Sequence, residues 1–164
     1  LPASLLDKSE KLLDAKLGRE VKIVEGVKLA LARLTQPRAI CSNSSSHRLD
    51  AMLGKVGLRE YFSPHIYSAK DLGPDRGKPR PDIYLHGLQQ MGGKPERTLV
   101  IEDSVHGVHA ARAAGLRVVG FTGGSHTYPT HADRLTDPGP ETVISRMVDL
   151  PATVAAMSEW SGAF

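Results

Sequence analysis

From Ala39 onward the chain alternates short β-like runs with helical ones, and this alternation restricts the fold more than any other feature of the sequence. Ala39-Ile40-Cys41, His65-Ile66-Tyr67, Thr98-Leu99-Val100-Ile101 and Arg117-Val118-Val119-Gly120-Phe121 read as strands, with another at Thr142 to Ile144. Helical patterns lie between them, near His47 to Val56, from Pro81 to about Gln90, and from about His106 to Ala114, where Gly115 closes the helix. A further helix is expected from Glu25 to Leu34, stopped by Pro37, and a last one from Pro151 to Trp160. Repeated βα units imply parallel strands joined by crossover helices. The expected fold class is therefore α/β, a three-layer arrangement with a mostly parallel sheet and helices on both faces.

Ahead of this pattern, Leu5, Leu6, Leu12, Leu13 and Leu17 recur at helical spacing, with Ser4 as a possible N-cap and Gly18 just past the end. An amphipathic helix is expected there. The stretch from Gly123 to Pro140, rich in Gly, Pro, His and Thr, reads as a long loop. No internal repeat interrupts the order.

Composition narrows the class of function. A chain of 164 residues with 40% hydrophobic and 24% charged residues is sized for one ordinary globular domain. It has no apolar run of about 18 residues or more, no leader-like start and a single cysteine, Cys41, so a cytoplasmic, disulfide-free protein with no membrane partner is expected. The 21 basic and 18 acidic residues are interspersed and aromatics make up only 5%, which argues against nucleic acid as a partner.

In sheets of this kind chemistry collects at the carboxyl ends of the strands, where loops meet helix N-termini whose free N–H groups attract anions. Three loops stand there. After Cys41 comes Ser42-Asn43-Ser44-Ser45-Ser46-His47, a run of hydroxyls and backbone N–H groups suited to a phosphate, with Ser42 at the strand end as the contacting hydroxyl. Ser45 or Ser46 also suits the N-cap of the next helix. In Gly77-Lys78-Pro79-Arg80-Pro81-Asp82, Pro79 holds Lys78 extended and Pro81 with Asp82 suits a first helical turn. A lysine about 4 Å from an anion contributes about 4 kcal/mol at an effective dielectric near 20, against about 1 kcal/mol in bulk water. The third loop follows the most apolar strand and presents Glu102 and Asp103, with Ser104 opening a helix. Adjacent carboxylates at the end of a buried strand call for a cation, and hard oxygen ligands suit Mg2+; Asp103 or Ser104 is also a natural N-cap.

Taken in order, ICSNSS, GKPRPDIY and LVIEDSVHGVHAARAAGLRVVGF resemble three of the four signature motifs of the haloacid dehalogenase (HAD) superfamily, and most closely its helical-cap branch, which contains phosphoglycolate phosphatase and β-phosphoglucomutase. The resemblance implies a Rossmann-like core at residues 23–164, preceded by the tail of a helical cap at 1–22. It implies Ser42 as the phosphate-binding hydroxyl, Asn43 as a neighbour lending its backbone N–H, and Lys78 as the lysine that screens charge between phosphate and nucleophile. Asp103 becomes the principal Mg2+ ligand, with Glu102 assisting. The implied activity is a Mg2+-dependent phosphatase of a small phosphorylated metabolite (a sugar phosphate, phosphoglycolate or a nucleotide) working through a phosphoaspartate.

The family's fourth motif, an apolar strand ending in Asp-x-Asp-Gly, is not found. Asp71 and Asp75 follow no suitable strand, Asp14 falls in a helical pattern and Asp133 in a loop. In the family that strand lies mid-sheet, between the strand ending at Ser42 and the one ending at Asp103. Its absence predicts two half-sheets with unpaired inner edges, a chain that is a fragment and inactive by itself, and no stable monomer. Three other readings remain: a sugar phosphomutase of the β-phosphoglucomutase type, a non-catalytic binder of a phosphorylated ligand or partner, and a zinc site on His106 and His109. A dinucleotide fold finds little support, because no G-x-G-x-x-G follows the first strand.

Overall fold

The computed structural model describes residues 23–123 and 139–161, and the side chains as far as Glu159. The amphipathic helix expected near Leu5 to Leu17, the cap tail at 1–22 and most of the loop after Gly123 lie outside the described residues.

The described chain follows the predicted alternation. Helix α1 (Val27–Arg33) precedes strand β1 (Ile40–Ser42), helix α2 (Ser46–Val56), the short helix α3 (Arg59–Phe62) and strand β2 (Ile66–Ser68). Helix α4 (Asp82–Met91), strand β3 (Leu99–Glu102), helix α5 (Val105–Ala113), strands β4 (Arg117–Phe121) and β5 (Thr142–Ile144) and helix α6 (Leu150–Ser161) complete the order. Serines begin two of the helices: Ser45 accepts from the Arg48 N–H ahead of α2, and Ser104 accepts from the Gly107 N–H ahead of α5. Gly57 ends α2 in the left-handed region, φ 72°, where a side chain would be strained.

All strand pairs are parallel, and they fall into two separate sheets. β1 pairs with β2, bringing Ser42 level with Ser68. β4 lies between β3 and β5, with Glu102 level with Gly120. No described strand joins β1 to β3. The two half-sheets predicted from the missing motif are thus what the described residues form.

Helices cover both faces. On one face a continuous apolar layer holds Val100 and Val118 from the sheet, Ile83 and Tyr84 from α4, and Val108 and Ala111 from α5, with Cys41 of β1 and Tyr67 of β2 packed against it. This layer spans the break between the sheets. On the other face of β3–β4–β5, Val119, Phe121 and Ile144 pack with Leu150 and Met157. The alternation is the two-residue period of a strand buried on both sides: Val100 and Val118 face α4 and α5, while Leu99, Ile101, Val119 and Phe121 face α6. Among the described residues, no helix is long and apolar enough to cross a membrane.

Candidate functional site

Three strand ends and the loop before α4 bring the predicted residues together. At the end of β1, the Ser44 N–H donates to Ser42 Oγ at 3.1 Å. That bond uses an acceptor position of the hydroxyl and fixes its oxygen, so the O–H remains as the donor an anion would take. From the end of β2, the buried Ser68 hydroxyl donates to the Ser44 carbonyl at 2.6 Å and holds the β1 loop in place.

Asn43 ties this loop to the lysine loop through its side chain. Its Oδ1 accepts from the Lys78 backbone N–H at 2.8 Å, and its Nδ2 donates to the Lys78 carbonyl at 3.5 Å. Gly77 permits the approach, since a Cβ there would lie 3.1 Å from Asn43 Oδ1. The sequence suggests only a backbone contribution from Asn43; the amide clamp on Lys78 is an addition.

Lys78 then crosses from the β1–β2 half to the β3–β4–β5 half. Its ammonium pairs with Glu102 Oε1, both side chains being largely buried at 12% and 7% exposure. The Tyr84 hydroxyl donates to the same oxygen, and the Lys78 ammonium stands 4.8 Å from the centre of the Tyr84 ring. Burial, and next the neighbouring Glu102 charge, push the Tyr84 phenol well above its ordinary pKa, so it stays protonated and donates. Ser104 approaches Glu102 Oε2 with its hydroxyl at 3.2 Å and its N–H at 3.4 Å. Tyr84 went unnoticed in the sequence because an aromatic in GKPRPDIY reads as ordinary helix core; its value lies in the hydroxyl, which reaches a carboxylate.

Asp103 follows Glu102 directly and is half-buried at the carboxyl end of β3. Among the described residues no three His, Cys, Asp or Glu side chains gather to hold a metal ion. His106 and His109 are exposed on α5. Asp103 offers a hard carboxylate oxygen of the kind that suits Mg2+.

Burial lifts the Cys41 thiol on β1 to a pKa of about 11, and Gly87 of α4 packs so close that a Cβ would lie 2.6 Å from its sulfur. A cleft of about 460 Å³ lies beside the site and shares Asn43 and Gly77 with it; its remaining walls come from the loop from Ala69 to Arg76.

A family profile described as haloacid dehalogenase-like hydrolase matches residues 5–115. A 6-phosphogluconate phosphatase of Escherichia coli is 27% identical over 117 residues, 71% of this chain and 52% of that protein. A phosphoglycolate phosphatase of Nitrosococcus oceani is 30% identical over 109 residues, 66% of this chain and 45% of its own length. The chain thus spans about half the length of these relatives. Among solved structures, a conserved haloacid dehalogenase-like protein of unknown function from Agrobacterium tumefaciens is 74% identical with a TM-score of 0.89, over 96% of this chain and 71% of that one. A HAD family hydrolase from Deinococcus radiodurans, solved with bound phosphate and sodium, is 37% identical with a TM-score of 0.81, over 96% of this chain and 69% of its own.

Proposed function

The chain belongs to the haloacid dehalogenase-like hydrolases, and from that premise we propose that it supplies the phosphate- and metal-binding half of a Mg2+-dependent phosphatase of small phosphorylated metabolites. One observation supports the reading: Lys78, whose loop is bound by Asn43 next to the end of β1, pairs with Glu102 at the end of β3, and no described strand joins those two strands. In this reading a parallel strand between β1 and β3 would end near the Ser42 hydroxyl, the Lys78 ammonium and the Glu102 carboxylate.

In this reading the Ser42 O–H donates to a phosphoryl oxygen, and backbone N–H groups of the Ser42–Ser46 turn, that of Asn43 first, add further donors. The Lys78 ammonium neutralises charge between the phosphoryl group and an attacking carboxylate. Asp103 would hold Mg2+, with Glu102 assisting, and the ion would offset the remaining phosphate charge. The attacking carboxylate comes from the strand between β1 and β3: it displaces the substrate alcohol at phosphorus, and water then releases phosphate from the acyl phosphate. Among the described residues, Asp71 accepts from Ser46 at 2.5 Å and Asp82 is held by Arg76 at 2.7 Å, so neither is placed for that step.

The substrate class follows the relatives, two of which act on 6-phosphogluconate and phosphoglycolate. Sugar phosphates, phosphoglycolate and nucleotides all belong to it. A cytoplasmic setting and a division into a cap tail at 1–22 and a core at 23–164 complete the proposal.

The test supplies the strand. Phosphate release from a panel of phosphorylated metabolites is followed with Mg2+, for the chain alone and with an apolar strand ending in Asp-x-Asp-Gly fused ahead of Leu1 or added as a peptide. Release only with the strand, lost in Asp103→Asn, is the expected result. Full activity in Asp103→Asn would overturn the metal assignment. Tight binding without turnover, strand included, would favour a non-catalytic binder of phosphorylated ligands.

A further inference from the structure

Asn43 links the two residues that the proposed function assigns to phosphate from the β1–β2 half. It follows Ser42 directly in the chain, and its side-chain amide meets the backbone of Lys78, 35 residues further on. Oδ1 accepts from the Lys78 N–H at 2.8 Å and Nδ2 donates to the Lys78 carbonyl at 3.5 Å, so one planar group answers both backbone groups of a single residue. A carboxylate of the same shape could only accept, and an aliphatic side chain could do neither.

The lysine loop has use for such a partner. The Arg80 N–H donates to the Gly77 carbonyl at 3.1 Å, which closes a four-residue turn with Lys78 and Pro79 at its corners. The N–H and carbonyl of Lys78 take no part in that bond, and Pro79 brings no N–H of its own. Gly77 lies flat against the clamp, since a Cβ there would stand 3.1 Å from Asn43 Oδ1 and 3.3 Å from its Cγ and Nδ2. Behind Asn43, Ser42 Oγ is fixed by the Ser44 N–H at 3.1 Å, and the Ser44 carbonyl by the buried Ser68 hydroxyl at 2.6 Å. Hydrogen bonds thus run in one line from the end of β2, through the β1 loop, to the turn that carries Lys78.

We infer that Asn43 is a positioning residue, whose amide sets the spacing between the Ser42 hydroxyl and the Lys78 backbone so that both reach one phosphoryl group from fixed places. Without the amide the lysine turn gains freedom that anion binding must then remove, and the entropy cost falls on phosphate affinity. The side chain of Asn43 acts through Lys78, so it matters to phosphate only while Lys78 is there. What the clamp serves rests on the phosphatase reading; the clamp itself does not.

The experiment uses the chain with the Asp-x-Asp-Gly strand supplied as in the activity test. It reads exchange of the Lys78 backbone amide in heavy water by NMR, and the affinity for inorganic phosphate by calorimetry with Mg2+ present. Asn43→Ala is expected to speed exchange at Lys78 and to weaken phosphate binding about three- to tenfold, the range of one neutral hydrogen bond. Gly77→Ala crowds the amide while leaving both partners intact, and should move both quantities in the same direction. Asn43→Asp keeps the accepting oxygen and should keep the Lys78 amide protected. In a Lys78→Met background, Asn43→Ala should change phosphate affinity by less than about twofold. A cost there as large as in the wild type would mean that the Asn43 side chain meets the anion itself, and would overturn the inference. Exchange at Lys78 left unchanged by both Asn43→Ala and Gly77→Ala would overturn it as well. A wild type that binds no phosphate would count against the phosphatase reading, while exchange at Lys78 would still decide the clamp.

Discussion

The two half-sheets differ in what holds them. In β3–β4–β5 the middle strand is buried on both faces, with Val118 and Val119 fully inaccessible, and helices close over each side. Arg117 staples this half: its guanidinium grips Glu141 with two bonds of 2.7 Å and donates to the Met157 carbonyl at 3.0 Å, linking β4 to the approach of β5 and to α6. In β1–β2, by contrast, Ser68 is the one fully buried strand residue, and the loops are held by side-chain bonds from Ser68 and Asn43. The apolar half rests on buried side chains; the polar half carries the groups that the proposed function assigns to an anion. They meet at Lys78, Tyr84 and Glu102, so the seam between the halves is also the centre of the proposed site.

This contrast can be broken most severely at the seam. With the missing strand supplied, Lys78→Ala leaves Glu102 buried without its cation, and about 3–5 kcal/mol of stability should disappear, read as a lower midpoint in urea unfolding. A loss below about 1 kcal/mol would mean that the halves do not depend on this pair. Next in size, Met157→Ala opens a cavity in the layer that only the three-stranded half possesses, at a cost of about 2–5 kcal/mol. Hydrogen exchange sharpens the same point: the amides of Val118 and Val119 should remain protected while those of Ile40 and Cys41 exchange through local opening.

The smallest effect concerns acid. The hydrogen bond from Arg117 chiefly, helped by its charge, holds the Glu141 carboxyl below its ordinary pKa against the opposing effect of burial. Since the folded-state value lies below the unfolded one, this contribution is complete above the ordinary glutamate range and is lost as pH falls through the folded value. It amounts to about 1 kcal/mol for a partly exposed pair. Melting temperatures of the wild type and Glu141→Gln should therefore converge on acidification; a constant gap between them would contradict the assignment.

The sequence-based strands agree with the observed ones to about one residue, because each is a short apolar run bounded by turn residues. The four-residue helix α3 went unseen: it is too short to show a helical period, and Leu58 at its start offers no capping side chain. The positions of Ser42 at a strand end and of Lys78 in the loop before α4 are legible because they depend on local signals, a strand end and a following proline. The link between Lys78 and Glu102 was not, since it joins residues 24 apart across a break between sheets. Sequence places Glu102 beside Asp103, and the facing of Val100 toward α4 and α5 shows which side of the strand Glu102 takes. With that facing known, Tyr84 on α4 becomes its natural partner.

The central claim is that two half-sheets, joined at Lys78, present one phosphate site. Calorimetric titration of inorganic phosphate into the wild-type chain, Ser42→Ala and Lys78→Ala, with Mg2+ present, tests it most directly. Ser42→Ala should lose about 1.5–3 kcal/mol of binding, one charge-assisted hydrogen bond, and Lys78→Ala should lose more. Equal affinity in all three proteins would contradict the account.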